Sequence, residues 1–196
     1  MIRKSAERLS DVCCEHGWID DEYWDWCVYA LEKRISLLLF FSAVALWIIV
    51  SGLYVETAAF FVPFYLLRRR IGGWHAKSAS ACFFISIAFV IIVSSFLGAW
   101  AMFLPIWSLI AMDIAAVIFA IILRPEYPPQ VNFSVQETDA NYQRKNCLLL
   151  LIFVFQILSY ILLDVRILAH SLCGVGLCVI AVLIQKQKGR QRNEEI

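Results

Sequence analysis

The chain has few charged residues and few of the residues that interrupt regular structure. Of its 196 residues, 17% are charged, and glycine and proline number only 8 and 5. A soluble domain usually has about 25% charged residues, and a disordered segment lacks long apolar blocks, so the composition excludes both classes. The hydrophobic share of 61% indicates a membrane protein.

Basic clusters and a targeting leader are missing from the N-terminal region. Residues 1–34 carry five basic and eight acidic side chains, 5 − 8 = −3, so there is no basic stripe to bind nucleic acid. A cleavable signal peptide has a basic start followed promptly by an apolar run, whereas here the first such run begins only at Ile35. We therefore expect no nucleic-acid partner, and we expect this run to remain in the mature protein.

The cysteines do not form a recognisable framework. They number seven and lack the spacing of a disulfide scaffold, so each is expected to pack as a small hydrophobe by default. A zinc site needs four well-spaced ligands, and the crowded group of Cys13, Cys14 and His16 does not supply them.

Apolar runs organise the rest of the chain. A membrane-spanning helix needs about 20 apolar residues, with a range of about 17–25. Five runs have this length; another is shorter and contains Pro63, so it is either a full span beginning near Leu53 or one arm of a re-entrant hairpin. The runs cover residues 35–51, 57–67, 81–98, 100–123, 147–163 and 167–184. We predict an all-α polytopic membrane protein with about six transmembrane helices.

The distribution of Lys and Arg predicts the orientation of these spans. In a six-span arrangement, sixteen of the seventeen basic residues fall on the side that holds both termini, and only Arg166 falls on the other side. Because short cytoplasmic loops carry the excess of Lys and Arg, both termini are predicted to be cytoplasmic in a bacterial cell membrane. The predicted organisation is an amphipathic N-terminal helical segment 1–34, a membrane domain 35–184 and a basic cytoplasmic tail 185–196.

Apolar side chains recur at helical spacing before the first span. Trp24, Cys27, Val28 and Leu31 predict an amphipathic cytoplasmic or interfacial helix. Its polar face is acidic, which favours a protein or peptide counterpart over an anionic lipid headgroup. Alternatively, the helix packs on the protein's own cytoplasmic face.

The residue patterns of most intramembrane hydrolases are absent from the sequence. It has no His-Glu-x-x-His zinc pair and no Gly-x-Ser-Gly serine site, and Asp113 is the only acid deep in a span. Of the three histidines, only His75 combines a nearby cysteine, Cys82, with a cationic setting, the arginines at 68–70. A Cys–His dyad is therefore the candidate site, and we predict neither a metal nor another cofactor.

The spacing of His75 and Cys82 constrains how such a dyad forms. In a continuous helix the seven-residue separation corresponds to about 10.5 Å along the axis. Proton transfer requires about 2.6–3.2 Å between heavy atoms, or one bridging water. Gly72 and Gly73 break helices and permit positive φ, so the backbone before His75 is able to fold back over the next span. A serine cap before that span leaves Cys82 in its first or second turn.

The surroundings of Cys82 favour its thiolate form. A helix N-terminus, the cations between Arg68 and Lys77 and a neighbouring imidazole all stabilise a thiolate, whereas burial in lipid opposes ionisation. A position one turn inside the cytoplasmic boundary is shallow enough for water to reach. The alternative interpretation is that residues 68–70 are membrane anchors, His75 is a loop residue and Cys82 is packing.

This order of residues resembles the accessory gene regulator protein B (AgrB) family. The shared pattern is an arginine-rich segment, then Gly-Gly-aromatic-His-Ala at 72–76, then a cysteine seven residues after the histidine at the start of an apolar span. The layout of six spans after a polar helical N-terminus is also similar. Family members are bacterial membrane cysteine endopeptidases that process the precursor of an autoinducing peptide. The resemblance implies catalytic roles for His75 and Cys82 and supporting or substrate-binding roles for Arg68 and Gly73.

The resemblance also implies a reaction and its partners. The enzyme would cleave the C-terminal tail from a short AgrD-like quorum-sensing propeptide through an acyl-thioester and promote closure of a thiolactone or lactone ring. Further partners would be the lipid bilayer and, optionally, a second copy in a homodimer, although the sequence contains no Gly-x-x-x-Gly helix face. Trp74 replaces the more usual tyrosine, and the loop at 127–129 matches only loosely, which leaves the substrate's identity open. The alternative function is a non-enzymatic small membrane transporter or adaptor.

Two polar residues in the spans are candidates for other roles. Asp113 is about ten residues, or roughly 15 Å, from the cytoplasmic end of its span, which is too deep to orient His75. We expect it either to hydrogen-bond with Gln156 or to have a functional role of its own. His170 is expected near the outer face as an interfacial or packing residue.

Overall fold

The described part of the protein is helical. The computed structural model describes residues 2–72, 79–101, 103–125, 134–162 and 165–194. The helices are α1 Ile2–Glu15, α2 Trp24–Ser51, α3 Tyr54–Ile71, α4 Ala79–Ile92, α5 Gly98–Ala101, α6 Ile106–Ile122, α7 Val135–Ile161 and α8 Val165–Glu194. A 3-10 turn lies at Asp21–Tyr23, and a π-helical turn at Val93–Leu97 joins α4 to α5. No β-strand occurs within these ranges, so the predicted all-α class is confirmed.

Several of these helices are suited to a membrane by length and composition. Four helical segments are long and apolar enough to cross one: Asp21–Ser51, Ser80–Ala101, Val135–Ile161 and Val165–Gln187. The apolar α6 is slightly shorter, with 17 residues. The short run that contains Pro63 belongs to the continuous 18-residue helix α3. The total agrees with the predicted number of about six.

One boundary between spans differs from the sequence prediction. The apolar pattern placed the start of the fourth run at Trp100, but the preceding helix continues through the π-helical turn to Ala101, and α6 begins only at Ile106. Pro105 is the N-cap of α6, with φ −55° and ψ 139°. Proline has no backbone N–H to donate, so it is favoured at the start of a helix, where that N–H would have no partner within the helix. Hydropathy alone could not detect this break, because the residues around it are apolar.

The described residues form two compact units. The first contains those of Met1–Ser51 and Lys77–Ile87. Within it α1 packs on α2, and the Trp24 Nε1–H donates to Asp11 Oδ1 at 2.9 Å. The residues predicted as a separate amphipathic helix are the first turns of α2, where Cys27 and Val28 are buried. The amphipathic segment is therefore continuous with the first apolar span.

The second unit contains the described residues of Gly52–Ala76 and Ala88–Ile196. Its centre is helix α8, which packs against α3, α6 and α7. A Cβ at Gly174 of α8 would lie 2.6 Å from the Phe60 carbonyl oxygen of α3, and the Cys178 thiol donates to the Phe64 carbonyl oxygen at 3.4 Å. Because both contacts advance by four residues, α3 and α8 run parallel with a constant register.

Two apolar clusters make up the core of this second unit. The larger, termed the first cluster, joins all four helices: Leu67, Ile71, Ala120, Leu123, Leu149, Ile152, Val175, Cys178, Val179 and Val182. The second cluster joins α5, α6 and α8: Ala101, Leu109, Leu168, Ala169 and Leu172. Ala116 packs against both clusters. The polar residues between these clusters are considered below.

Candidate functional site

Cys82 is the predicted nucleophile, and it lies in the first turn of helix α4. It is the fourth residue of the helix, which begins at Ala79. Its side chain is half-buried, and no disulfide joins any of the seven cysteines, all of which lie in the described ranges. The backbone N–H groups of this first turn have no partner within the helix.

The other predicted dyad member, His75, lies outside the described residues, as does Gly73. The described backbone ends at Gly72 on one side of this segment and resumes at Ala79 on the other. The dyad therefore remains a prediction from the sequence, whereas the helix ends on either side of it are described.

Arg68 closes the end of helix α3 next to the predicted site. The Gly72 N–H donates to the Arg68 carbonyl oxygen at 3.2 Å, and the Arg68 guanidinium donates back to the Gly72 carbonyl oxygen. Gly72 has φ +71° and ψ −126°, a conformation that residues with a Cβ rarely adopt. The glycine thus ends α3 and turns the chain where the sequence predicts a break. Arg68 is half-buried and acts here as a closing group, not as a freely exposed anchor.

The two arginines that follow Arg68 make different contacts. Arg70 donates to the Asn141 side-chain oxygen of α7 at 3.2 Å. The Arg69 guanidinium lies 5.8 Å from the centre of the Tyr65 ring, within the range of a cation–π contact. A hydrogen bond therefore joins the last turn of α3 to the polar first half of α7.

The structure adds Lys145, which the sequence analysis counted only as a loop cation. This residue of α7 is fully buried, and its Nζ donates to the carbonyl oxygens of Ala120, Ile121 and Leu123 at 2.7, 3.0 and 2.7 Å. The Tyr142 hydroxyl donates to the Ile121 carbonyl at 3.1 Å, and its ring centre lies 4.3 Å from Nζ. Unpaired carbonyls at a helix end require such partners. The sequence signal was a lysine directly before an apolar run, which periodicity alone does not distinguish from an anchor.

The expected hydrogen bond between Asp113 and Gln156 is not formed. Both residues are buried, with exposed fractions of 3% and 1%. Asp113 Oδ1 and both polar atoms of the Gln156 amide have no hydrogen-bond partner among the described residues. The structural role suggested for this pair is therefore not fulfilled, and both groups require another explanation.

His170, predicted as an interfacial or packing residue, is buried within the helix bundle. Its side chain is 1% exposed, and Nδ1 lies 2.7 Å from the Arg166 carbonyl oxygen. Because a carbonyl only accepts, Nδ1 carries a hydrogen and donates it in this contact. The ring lies over Gly98, where an added Cβ would be 2.0 Å from Nε2. This arrangement agrees with the packing role in the prediction.

The N-terminal cysteines provide no sign of an activated thiol. Desolvation, together with the neighbouring Cys27, raises the pKa of Cys13, and desolvation with the neighbouring Asp21 raises the pKa of Cys14. A raised pKa lowers the thiolate fraction and hence the reactivity. Over the described ranges, no group of three or more His, Cys, Asp or Glu side chains is arranged to hold a metal ion.

These helices define the class of the protein, a polytopic α-helical membrane protein. Its predicted nucleophile, Cys82, lies in the first turn of α4. A family model described as Accessory gene regulator B (AgrB) matches residues 6–186, nearly the whole chain. The chain belongs to the AgrB family, as the sequence resemblance predicted. No curated protein and no solved structure matches it.

Family membership gives the chain a role in the accessory gene regulator quorum-sensing system. It points to a protease-like part in processing the autoinducer, with a peptide precursor as the implied substrate. The apolar helices agree with a location in a membrane.

Proposed function

We propose that the chain is a membrane-embedded cysteine endopeptidase that removes the C-terminal tail from a short AgrD-like propeptide. In this proposal Cys82 is the nucleophile and His75 the general acid and base, with an acyl-thioester as the intermediate. The observation that carries it is the place of Cys82 in the first turn of α4, four residues after Ser78 in the sequence and seven after His75.

The proposed nucleophile has local support from the helix that contains it. The backbone N–H groups of the first helical turn have no partner within the helix and point toward its N-terminal end. They are suitable donors for the oxyanion that forms when the Cys82 sulfur attacks a carbonyl. Cys82 is half-buried, so it is neither sealed in the core nor fully in solvent.

The proposed base is supported by chain connectivity. Gly72 ends α3 in a conformation available mainly to glycine, and only residues 73–78 separate it from the start of α4. His75 is four residues from Ala79, and an extended chain covers at most about 3.6 Å per residue, so its Cα lies within roughly 14 Å of the helix start. A connection of this length is compatible with an imidazole that reaches the thiol at the start of α4.

His75 transfers the proton in the proposed reaction. The imidazole accepts the Cys82 thiol proton, and the sulfur bonds to the carbonyl carbon of the scissile peptide. When the C–N bond breaks, the imidazolium returns the proton to the departing amine, leaving an acyl-thioester on Cys82. The released fragment is the C-terminal tail.

Ring closure follows when an internal nucleophile of the propeptide replaces Cys82. Its thiol or hydroxyl attacks the thioester carbonyl, its proton passes to the Cys82 sulfur through His75, and a thiolactone or lactone leaves. Hydrolysis would be the competing outcome, so the site must orient the internal group and limit the access of water. A half-buried cysteine at a membrane boundary suits that requirement.

Arg68 and Gly73 have supporting roles in this proposal. Arg68 is a positioning residue, since its guanidinium holds the Gly72 carbonyl immediately before the segment that contains His75. Gly73 supplies backbone freedom within that segment. We further propose that both termini, and this face of the site, are cytoplasmic, because nearly all basic residues fall on that side of a six-span arrangement.

The test is co-expression of the chain with its propeptide, followed by a denaturing gel for the shortened peptide and for a chain–peptide adduct. The parent is expected to yield both, and the adduct should disappear on treatment with hydroxylamine, which cleaves thioesters. Cys82→Ala and His75→Ala are expected to yield neither. The matched control is Cys147→Ala, an exposed cysteine of α7, which should process like the parent.

A transporter or adaptor would give a different result. In that case the Cys82→Ala and His75→Ala chains would leave the same amount of shortened peptide as the parent, and no hydroxylamine-sensitive adduct would form. Either finding overturns the proposed function. Immunoblots of membrane fractions confirm that each variant accumulates to the level of the parent.

A further inference from the structure

A layer of buried polar side chains crosses the second unit between its two apolar clusters. Thr57 of α3 and Ser171 of α8 have no exposed surface, Gln156 of α7 is 1% exposed and Asp113 of α6 is 3% exposed. They come from four different helices and include the only acid that the sequence places deep in a span. Their burial without solvent or lipid contact indicates that they face the interior of the helix bundle.

The register of α3 and α8 places two of these residues side by side. Phe60 is opposite Gly174, and Phe64 is opposite Cys178, a constant offset of 174 − 60 = 178 − 64 = 114. The same offset pairs Thr57 with Ser171. The two hydroxyl-bearing residues thus lie at one level of the α3–α8 contact.

The register of α6 and α7 places Gln156 at that same level. Lys145 of α7 is bonded to the Ile121 carbonyl of α6, and the two helices are antiparallel. Gln156 follows Lys145 by eleven residues on α7, and Ile110 precedes Ile121 by eleven residues on α6. Gln156 is therefore level with Ile110. Ile110 adjoins Leu109, which packs against Leu168, Ala169 and Leu172 of α8, beside Ser171.

Asp113 lies within one helical turn of this level. It is three residues from Ile110, or about 4.5 Å along α6. On the same helix, Leu109 and Ala116 on either side of it both pack against clusters that include α8. The carboxyl group is therefore directed toward the bundle interior between α6 and α8.

These four side chains share an unusual hydrogen-bonding state. Thr57 Oγ1, Ser171 Oγ, Asp113 Oδ1 and both amide atoms of Gln156 are buried and have no hydrogen-bond partner among the described residues. Buried polar groups are nearly always paired, and each exception calls for a ligand, water or another explanation. Other buried polar atoms without a partner occur at Ser10, Ser36, Asn146 and His170, but this layer contributes five such atoms from four helices.

Neighbouring charged groups do not neutralise the carboxyl of Asp113. The Lys145 ammonium uses its three hydrogens on carbonyls at one end of α6. Arg166 lies at the start of α8, where its guanidinium is 3.6 Å from the Glu56 carboxylate. His170 donates through Nδ1 to the Arg166 carbonyl, and the other edge of its ring lies against Gly98. An uncompensated carboxylate in this interior would be costly.

We propose that this layer binds one dehydrated monovalent alkali cation. Asp113 supplies the balancing negative charge, and the Gln156 amide oxygen and the hydroxyl oxygens of Thr57 and Ser171 supply neutral ligands. Oxygen ligands are those that hard cations prefer. The site is separate from the proposed peptidase dyad and does not depend on that proposal.

The ligand set explains the choice of a monovalent ion. A single carboxylate balances one positive charge, whereas calcium and magnesium sites generally include several carboxylates or waters. Transition metals prefer imidazole or thiolate, and over the described ranges no suitable cluster of such side chains exists. Sodium and potassium share the required chemistry, and the experiment distinguishes them.

The test uses the full chain purified in detergent and compares sodium, potassium and choline chloride at equal ionic strength. At an ion concentration ten times the dissociation constant, the preferred alkali ion is expected to raise the unfolding midpoint by about 3–6 °C relative to choline. Equilibrium binding of radioactive sodium is expected to approach one ion per chain and to be displaced by unlabelled sodium and potassium but not by choline. Displacement by potassium at a lower concentration than by unlabelled sodium would identify potassium as the preferred ion.

Two variants and one control make the test specific. Asp113→Asn preserves the shape of the side chain and is expected to abolish both binding and the salt-dependent shift. Gln156→Leu leaves the Asp113 carboxylate in place but removes the amide oxygen ligand, so it should weaken ion binding about tenfold. Asp139→Asn makes the same chemical change at an exposed site of α7 and should respond like the parent. Equal midpoints of the parent in all three salts, or an undiminished response in Asp113→Asn, would overturn the proposal.

Discussion

The Lys145 ammonium donates to the Leu123 carbonyl oxygen at 2.7 Å, and this contact closes the end of helix α6 from the neighbouring helix. The residue is fully buried, and its remaining hydrogens go to two further carbonyls of the same helix end. A cation in this position also opposes the negative end of the helix dipole. One side chain therefore joins the last turn of α6 to α7.

We expect Lys145→Met to destabilise the protein. Methionine retains most of the chain length but donates nothing, so three carbonyl oxygens lose a partner in a buried setting. The expected loss in the free energy of unfolding is about 2–5 kcal/mol, which lowers the midpoint by roughly 5 °C or more. Thermal unfolding in detergent measures it. Arg144→Met, at the adjacent exposed residue, is the control, and equal midpoints for the two variants would contradict this role.

The contact between α3 and α8 predicts opposite effects for two nearby glycines. A Cβ at Gly174 would lie 2.6 Å from the Phe60 carbonyl oxygen, and neither backbone can move aside without separating the helices. A Cβ at Gly176 would meet no atom within 4 Å. We expect Gly174→Ala to lower the free energy of unfolding by about 1–3 kcal/mol, as overpacking does. Gly176→Ala is expected to raise it by about 0.5–1 kcal/mol, because alanine favours the helix.

The same thermal assay reports both glycine changes. A Gly174→Ala variant as stable as the parent would show that the helices are not in close backbone contact there. Destabilisation by Gly176→Ala would show that the space beside it is filled.

Composition and hydropathy were sufficient to predict the helical membrane class, because long apolar blocks leave few alternatives. They predicted the positions of helix ends less accurately. The start of α7 at Val135 depends on the Ser134 capping box. The break before Ile106 depends on Pro105, which lies within an apolar stretch. A hydropathy average over about 20 residues does not register such single-residue effects.

The residues of the candidate site also differ in how well the sequence predicts them. A motif identified Cys82 and Arg68, because the order of residue types along the chain carried the signal. Lys145 could not be assigned from the sequence, since whether a lysine beside an apolar run turns outward or inward depends on the carbonyls of another helix. The expected Asp113–Gln156 bond failed for a related reason, since whether two buried side chains meet depends on how two separate helices pack.

His170 and Gly98 are predicted to be energetically coupled. A Cβ on Gly98 would lie 2.0–2.5 Å from three ring atoms of His170, so Gly98→Ala forces the imidazole out of its place. We expect a loss of about 1–3 kcal/mol in the free energy of unfolding. In a His170→Ala background the same change should cost less, because the opposing ring is gone. A double-mutant cycle of unfolding midpoints measures the coupling, and purely additive effects would refute it.

The left-handed backbone at Gly72 leads to a prediction about activity. Alanine is strained at φ +71° and ψ −126°, so Gly72→Ala should loosen the turn that Arg68 closes just before the segment with His75. If the proposed dyad is correct, displacing this segment by about 1 Å lowers propeptide cleavage tenfold or more. Gly17→Ala is the matched control, because Gly17 also has positive φ, at +66°, but lies between α1 and α2.

Comparing the two alanine variants separates strain from positioning. Both should lose a similar amount of stability, about 1–3 kcal/mol, because each places a Cβ in a left-handed conformation. Only Gly72→Ala is expected to slow formation of the shortened peptide in the co-expression assay when membrane levels are matched. If both variants cleave the propeptide at the parent's rate, the closure of α3 does not position the catalytic segment. If both slow it equally, general destabilisation explains the effect instead.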